Sequence, residues 1–257
     1  MIIDAHCHIL PSEQGIETAL GYMEDAKVDH TILVPGGMIP LLGFGDFLRG
    51  RQALTTSAPD NDFVRSVFNR YARSFSGFFH VDPAYHMQDD WDEAVAQGFV
   101  GFKLNPLVNR VSFLTSEVKE LCEYLVARDL PLYTHIVLSG DASLDALELL
   151  LKDFGKLKLI LGHMGFASTD LSAIQLASRR ENVYLETSVG SFVAIQEAVR
   201  RVGPGRLIFG SEGPVHHVGA ELRKIELLKL RTEDQERICA GNICAIAPLA
   251  EKLRVAA

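Results

Sequence analysis

The chain is short of most features that would take it away from an ordinary soluble enzyme. It has four cysteines in 257 residues, Cys7, Cys122, Cys239 and Cys244, too scattered for a disulfide framework. Reduced, mostly buried thiols are expected instead. Cys239 and Cys244 fall in one apparent helix without the spacing of a metal site. No run of about 18 apolar residues occurs, so no membrane span is expected. The start lacks the charged-then-apolar layout of a signal peptide, and a cytoplasmic protein is expected. There is no low-complexity tract and no linker. Basic residues are outnumbered, 25 Lys and Arg against 33 Asp and Glu, for a formal net charge of -8. That balance argues against nucleic acid or an anionic membrane as partner. A small-molecule substrate is the partner expected, and homo-oligomerisation is left open.

What is present is a rhythm. Eight short apolar runs alternate with amphipathic stretches: 2–8, 29–35, 75–81, 99–104, 130–136, 157–163, 182–187 and 206–212. Runs of this length, rich in Val, Ile, Leu, Phe and Tyr, read as parallel strands covered on both faces. Between them, Phe63, Val64, Val67, Phe68 and Tyr71 recur at helical spacing, as do Val118, Leu121, Cys122 and Leu125. Ser143 is placed to cap one helix, and T-E-D-Q at 232–235 has the capping-box pattern for a last one. Strand–helix alternation implies βαβ units, and eight of them fit an α/β fold of (β/α)8 TIM-barrel type. An open doubly wound sheet would carry a Gly-rich phosphate turn after its first strand. Here that turn reads H-C-H-I-L-P. One domain over residues 1–257 is expected.

One connection is long. Residues 36–59 hold five glycines, two prolines and several large apolar groups. A loop of this size in a compact domain is usually functional or mobile. After a second barrel strand it would hang over the active face. It therefore reads as a lid, with Phe44, Phe47 and Arg49 as substrate contacts, or as an external decoration.

Function in a parallel barrel sits where strands end. The first run ends in His6 and His8, the fourth in Lys103, the fifth in His135, the sixth in His163 and the eighth in Glu212. The third and seventh offer His80 and Glu186. Alternation along a strand puts His6 and His8 on one face, about 6.5 Å apart, with Asp4 of the same parity one step deeper and Cys7 pointing out. Two such imidazoles can converge on one cation, with His135, His163 and Glu212 to complete the shell. A single strand-end histidine is more often a satisfied polar residue than a ligand. The ordered set is what points to a metal centre. Nitrogen and carboxylate ligands suit zinc first, then manganese, iron or nickel, as one or two ions.

These residues resemble the amidohydrolase superfamily, and within it the amidohydrolase-2 group. That superfamily has H-x-H on strand one, a lysine or other ligand on strand four, histidines on strands five and six, and an aspartate on strand eight. Here the positions read D-A-H-C-H, G-F-K-L-N-P, L-Y-T-H-I, L-G-H-M-G and F-G-S-E-G-P. The tail I-C-A-G-N-I-C-A-I-A resembles the family's closing helix, in which an Asn follows a Gly. The departure is Glu212 in place of aspartate, one methylene longer, which changes reach and angle.

The resemblance implies metal-dependent hydrolysis of an ester, lactone or amide. A divalent cation lowers the pKa of its water to about 7. His6, His8, His135 and Glu212 would be its ligands, and Glu212 would also move the proton. His163 would stabilise an oxyanion or orient the water. Lys103 would bind a substrate carboxylate or, once carboxylated, bridge two ions; an ordinary lysine–carboxylate pair is the bland alternative. His80, Arg110 and Phe44 are further candidates for substrate contact, and His216 and His217 are nearer to ordinary surface residues. Non-oxidative decarboxylation of an aromatic or unsaturated acid is the second activity the resemblance allows. A degenerate metal-binding barrel is the reading from another class.

Overall fold

The computed structural model describes residues 1–40, 44–53, 56–137, 140–165, 171–249 and 253, without the side chains of Phe44 and Leu48. The strands are β1 (Ile3–Ile9), β2 (His30–Pro35), β3 (Phe75–Gly77), β4 (Phe79–His80), β5 (Phe102–Leu104), β6 (Pro131–Thr134), β7 (Lys158–Leu161), β8 (Val183–Glu186) and β9 (Leu207–Ile208). The helices are α1 (Glu13–Ala26), α2 (Phe44–Leu48), α3 (Asn61–Arg70), α4 (Gln88–Ala96), α5 (Pro106–Asn109), α6 (Ser116–Ala127), α7 (Leu144–Asp153), α8 (Ser172–Arg179), α9 (Phe192–Arg201), α10 (Val218–Leu227), α11 (Thr232–Glu236) and α12 (Asn242–Ile246).

All strand pairs are parallel, in the orders β1-β2-β3 and β4 to β9 in sequence. The third apolar run is divided at Phe78, so β3 pairs with β2 and β4 with β5. Those two pieces make one stave of the barrel. The ring closes where the last strand meets the first. Ala5 N–H donates to Phe209 C=O at 3.0 Å, and Glu212 N–H donates to His6 C=O at 2.8 Å. A parallel bridge joins Cys7 and Gly213. The result is the (β/α)8 TIM barrel that the alternation implies.

Side chains sort by face. Ile3, Ala5, Ile32, Val34, Phe78, Val100, Tyr133, Ile160 and Ile208 pack together inside the ring. Ala240, Ile243, Ile246 and Leu249 join that cluster, so the closing helical segment plugs the lower end of the barrel. The alternate strand residues, among them Phe102, Leu104, Leu159, Leu161 and Leu185, pack outward against the helices. Each such fully buried side chain contributes about 1.5–3 kcal/mol.

β1 departs from simple alternation. Its register with β2 shifts between Asp4 and Cys7, the mark of a bulge. Ile3 and Ala5 face inward below the bulge, while Cys7 and Ile9 pack outward above it. Asp4 therefore does not share the face of His6 and His8, contrary to the expectation from parity.

Several helices start on side-chain caps: Ser12 for α1, Asp60 for α3, Thr115 for α6, Ser143 for α7 and Ser191 for α9. The T-E-D-Q expectation shifts by one residue, since Thr232 is already helical and Arg231 is the cap, without a side-chain bond. Asn242 donates to Pro204 C=O and Leu207 C=O, both at 2.7 Å, tying the closing helix to the start of β9. In the long connection, Ser57 N–H donates to Met38 C=O at 3.1 Å and Ser57 Oγ to Gly37 C=O at 3.2 Å. The two ends of 36–59 are thus tied together, with α2 between them. Among the described residues, no helix is long and apolar enough to cross a membrane.

Candidate metal centre

The upper end of the barrel gathers the polar side chains in two levels. His6, Lys103, Tyr133 and Glu186 are fully buried and form a floor. His8, His135, His163 and Glu212 are partly exposed and form a rim. His6 and His8 stand on β1, Lys103 on β5 and Glu186 at the end of β8. His135, His163 and Glu212 lie beyond the ends of β6, β7 and β9 rather than within strands. His163 and Glu212 both adopt left-handed backbone, with φ of 59° and 61°. Non-glycine residues take that conformation at a cost, and it is concentrated at functional sites.

Asp4 aims Glu212. Its carboxylate accepts from Ser211 N–H at 2.8 Å, Ser211 Oγ–H at 2.6 Å and His6 N–H at 3.1 Å. This clamp binds the post-β9 segment to β1 one residue before Glu212. Glu212 Oε2 then lies 2.9 Å from His6 Nδ1 and 3.7 Å from His163 Nε2, and Oε1 lies 3.6 Å from His8 Nε2. Despite that crowding, Oε2 makes no well-formed hydrogen bond. The extra methylene of glutamate does reach the histidines.

Lys103 Nζ is 2.7 Å from His6 Nε2 and 3.2 Å from His8 Nε2. An ammonium has only hydrogens to offer, so both Nε2 atoms act as acceptors toward it. Among the described residues, Lys103 forms no ordinary lysine–carboxylate pair. His8 is held by Nδ1–H donating to Pro35 C=O at 2.8 Å. The His135 ring stacks on His163, centroids 4.6 Å apart, and its Nδ1 is buried without a partner.

Burial pushes His8, His135 and His163 below the usual imidazole pKa, with the Lys103 charge acting in the same direction. They are neutral at pH 7, with a lone pair to give. Burial also lowers His6, but Glu212 and Glu186 outweigh it and its pKa is raised. Burial lowers Lys103 to about 8 against the pull of Glu212 and Glu186. Glu212 is held well below the usual carboxylate range because its histidine neighbours, His6 foremost, outweigh its burial.

This donor set fits a divalent cation. Ligand atoms of His6, His8 and Glu212 lie within 4.8 Å of one another, as do those of His6, His163 and Glu186. The Lys103 ammonium marks the point where two imidazole lone pairs meet. Among the described residues, Glu212 Oε2 and His135 Nδ1 are buried there without a hydrogen-bond partner. His135 belongs to neither close set, so the expected shell is only partly drawn together.

The other expected residues separate. His80 is buried beside Lys103 in register, donating from Nε2 to Asn109 Oδ1 at 3.2 Å and leaving Nδ1 without a partner. Burial lowers its pKa to about 3, so it stays neutral. Arg110 is exposed at the end of α5. Phe44 falls outside the described side chains. Arg49 is exposed and donates to Gly45 C=O. His217 caps α10 and His216 lies 3.6 Å from Glu221, neither in the cluster. Tyr133 was not singled out by the strand-end rule because it sits two residues before His135. The shared parity of 133 and 135 was the signal that could have found it.

The fold and the site define a class, a TIM barrel with a histidine–carboxylate centre at the upper end of its strands. Residues 3–246 match the amidohydrolase family model, and the chain belongs to that family. No curated protein matches the sequence significantly. Among solved structures it is similar to 4-oxalomesaconate hydratase from Rhodopseudomonas palustris, at 19% identity and TM-score 0.71 over 100% of this chain and 97% of the other. A dihydroxybenzoic acid decarboxylase from a Polaromonas species, with bound manganese and the inhibitor 2-nitroresorcinol, is 17% identical, with TM-score 0.69 and 98% of each chain covered. A probable 2-pyrone-4,6-dicarboxylic acid hydrolase from Acinetobacter baumannii, with citric acid bound, is 14% identical, with TM-score 0.70 over 95% and 98%.

Proposed function

We propose that the chain is a metal-dependent hydrolase that cleaves an ester, lactone or amide bond in a small organic substrate. Glu212 carries this reading. A buried carboxylate held among three imidazoles, with His6 Nδ1 2.9 Å from one oxygen, suits a group that takes a proton from an attacking water.

His6, His8, His135 and Glu212 would hold the cation, with zinc the first choice and manganese, iron or nickel the others. When bound, such an ion supplies acidified water and a polarised substrate oxygen. Glu212 accepts the water's proton at Oε2 and returns it to the leaving group. His163 engages Ser188 Oγ through Nδ1 at 2.9 Å, which leaves Nε2 as an acceptor that orients the water. Lys103 binds a substrate carboxylate, and the unpartnered Nδ1 of His80 accepts from a substrate donor beside it. Residues 36–59, of which 41–43, 54 and 55 lie outside the described residues, would serve as the lid of one domain spanning 1–257.

A second reading, non-oxidative decarboxylation of an aromatic or unsaturated acid, is favoured by a different observation. A fully buried ammonium whose partners are imidazoles is suited to a carboxylate substrate. The similarity to a manganese-containing decarboxylase agrees with it.

Metal analysis of purified protein comes first, followed by a panel of lactones, amides and aromatic acids. Acid release from a lactone or amide is the expected result. CO2 release from an aromatic acid would transfer the assignment to decarboxylation. Protein that neither holds nor takes up zinc or manganese would leave a degenerate barrel.

A further inference from the structure

Glu186 is a candidate ligand by distance, yet its oxygens are already spent. Oε2 accepts from Tyr133 Oη–H at 2.8 Å, from Ser188 Oγ–H at 2.8 Å and from His163 N–H at 3.2 Å. Oε1 accepts from Ser188 N–H at 2.5 Å. A carboxylate with four donors has little left for a cation. Each donor that it takes instead fixes a neighbour.

Tyr133 has one hydroxyl hydrogen, and the carboxylate is the strongest acceptor in reach. With that hydrogen on Glu186, Tyr133 Oη can only accept from His6 Nδ1, 2.7 Å away. His6 therefore carries its proton on Nδ1. Ser188 obeys the same logic: its hydrogen goes to Glu186, so Oγ accepts from His163 Nδ1–H at 2.9 Å. Both histidines then present Nε2 lone pairs, that of His6 toward Lys103 and that of His163 toward Glu212. The room for this network is cut by two glycines. A Cβ at Gly162 would collide with Tyr133 Oη, and one at Gly210 would collide with Glu186 Oε1.

We propose that Glu186 is a positioning residue that, through Tyr133 and Ser188, locks His6 and His163 in the Nδ1-protonated form, and so leaves the Nε2 lone pair of His6 for the cation and that of His163 for the water beside it. This rests on the metal-centre reading of the site. Partners that orient ligand histidines typically affect metal affinity 10- to 100-fold, about the range expected here.

The test uses the whole protein with 15N-labelled histidine. Glu186→Leu removes both acceptor oxygens, so Tyr133 and Ser188 are free to turn their hydrogens to His6 Nδ1 and His163 Nδ1. Imidazole 15N shifts should show both His6 and His163 losing their Nδ1–H form, and titration with zinc should show affinity lowered about 10- to 100-fold. Tyr133→Phe should move the His6 signal alone, and Ser188→Ala the His163 signal alone. Unchanged tautomers in Glu186→Leu, or wild-type zinc affinity, overturn the proposal. If Glu186→Leu does not fold, the two lesser variants decide, and an unchanged tautomer in both overturns it. Wild-type protein that binds no zinc would remove the metal reading, and the tautomer signals would still decide the role of Glu186.

Discussion

Lys103 Nζ lies 2.7 Å from His6 Nε2, so a lysine ammonium stands among imidazole lone pairs in a fully buried place. A buried cation of this kind is a ready partner for a substrate carboxylate. Lys103→Met should raise KM for a carboxylate substrate roughly 10- to 150-fold, the loss of a charge-assisted hydrogen bond of about 1.5–3 kcal/mol. Burial brings the Lys103 pKa down to about 8, so the ammonium is present below that pH and lost above it. KM for that substrate should therefore climb as pH passes about 8. A flat KM profile in the wild type would remove Lys103 from substrate binding.

His6 and Glu212 should each be indispensable. His6→Ala and Glu212→Ala are expected to bring turnover to background and to lower bound metal in elemental analysis. Glu212→Gln keeps the reach but loses the charge and the basic oxygen, so it should retain part of the metal and none of the rate. Full activity in any of these variants takes that residue out of the mechanism.

Asp4 makes a pH-dependent contribution to stability. Burial raises its pKa from 3.8 to about 7, in spite of the hydrogen bonds from Ser211 and His6. The folded state thus holds the Asp4 proton more tightly than the unfolded state. Its stabilising contribution is full below pH 3.8, falls as pH rises, and is gone above about 7. Asp4→Asn should remove this component, on the order of 4 kcal/mol across that window at most. Urea midpoints measured at several pH values would check it, and parallel profiles for the two proteins would sink the idea.

Gly210→Ala places a methyl against Glu186 Oε1 in a packed interior. Overpacking of this sort costs about 1–3 kcal/mol. Chemical denaturation should show that loss together with weaker zinc binding, because the displaced carboxylate is the one that orients His6 and His163. A variant of wild-type stability and affinity would contradict the packing described.

The barrel was legible because its signals are local and repeated. Apolar runs, a capping residue such as Ser143, and helical spacing at Val118, Leu121 and Cys122 are all carried by neighbouring residues. His6, His8, Lys103, His163 and Glu212 were legible for a related reason, since strand ends converge in a barrel. What escaped depends on bonds between distant segments. The bulge in β1 that turns Asp4 away from its expected face leaves no mark on strict alternation. The Tyr133–Glu186–Ser188 network depends on which hydroxyl hydrogen goes to which oxygen, and spacing carries no record of that. Arg110 shows the opposite failure, where proximity in sequence to Lys103 did not bring it into the cluster.

The ring closes through bonds between β1 and the segment after β9, and the centre straddles that seam. Asp4 and Ser211 are 207 residues apart, and His6 and Glu212 belong to the same two segments. Contacts of such sequence separation form only after their loop-closure entropy is met. A nascent chain lacking its final stave would hold His6, His8 and Lys103 without the carboxylate opposite them. Competence for the cation thus arrives with the last step of assembly, and fragments released early carry the histidines but no finished centre.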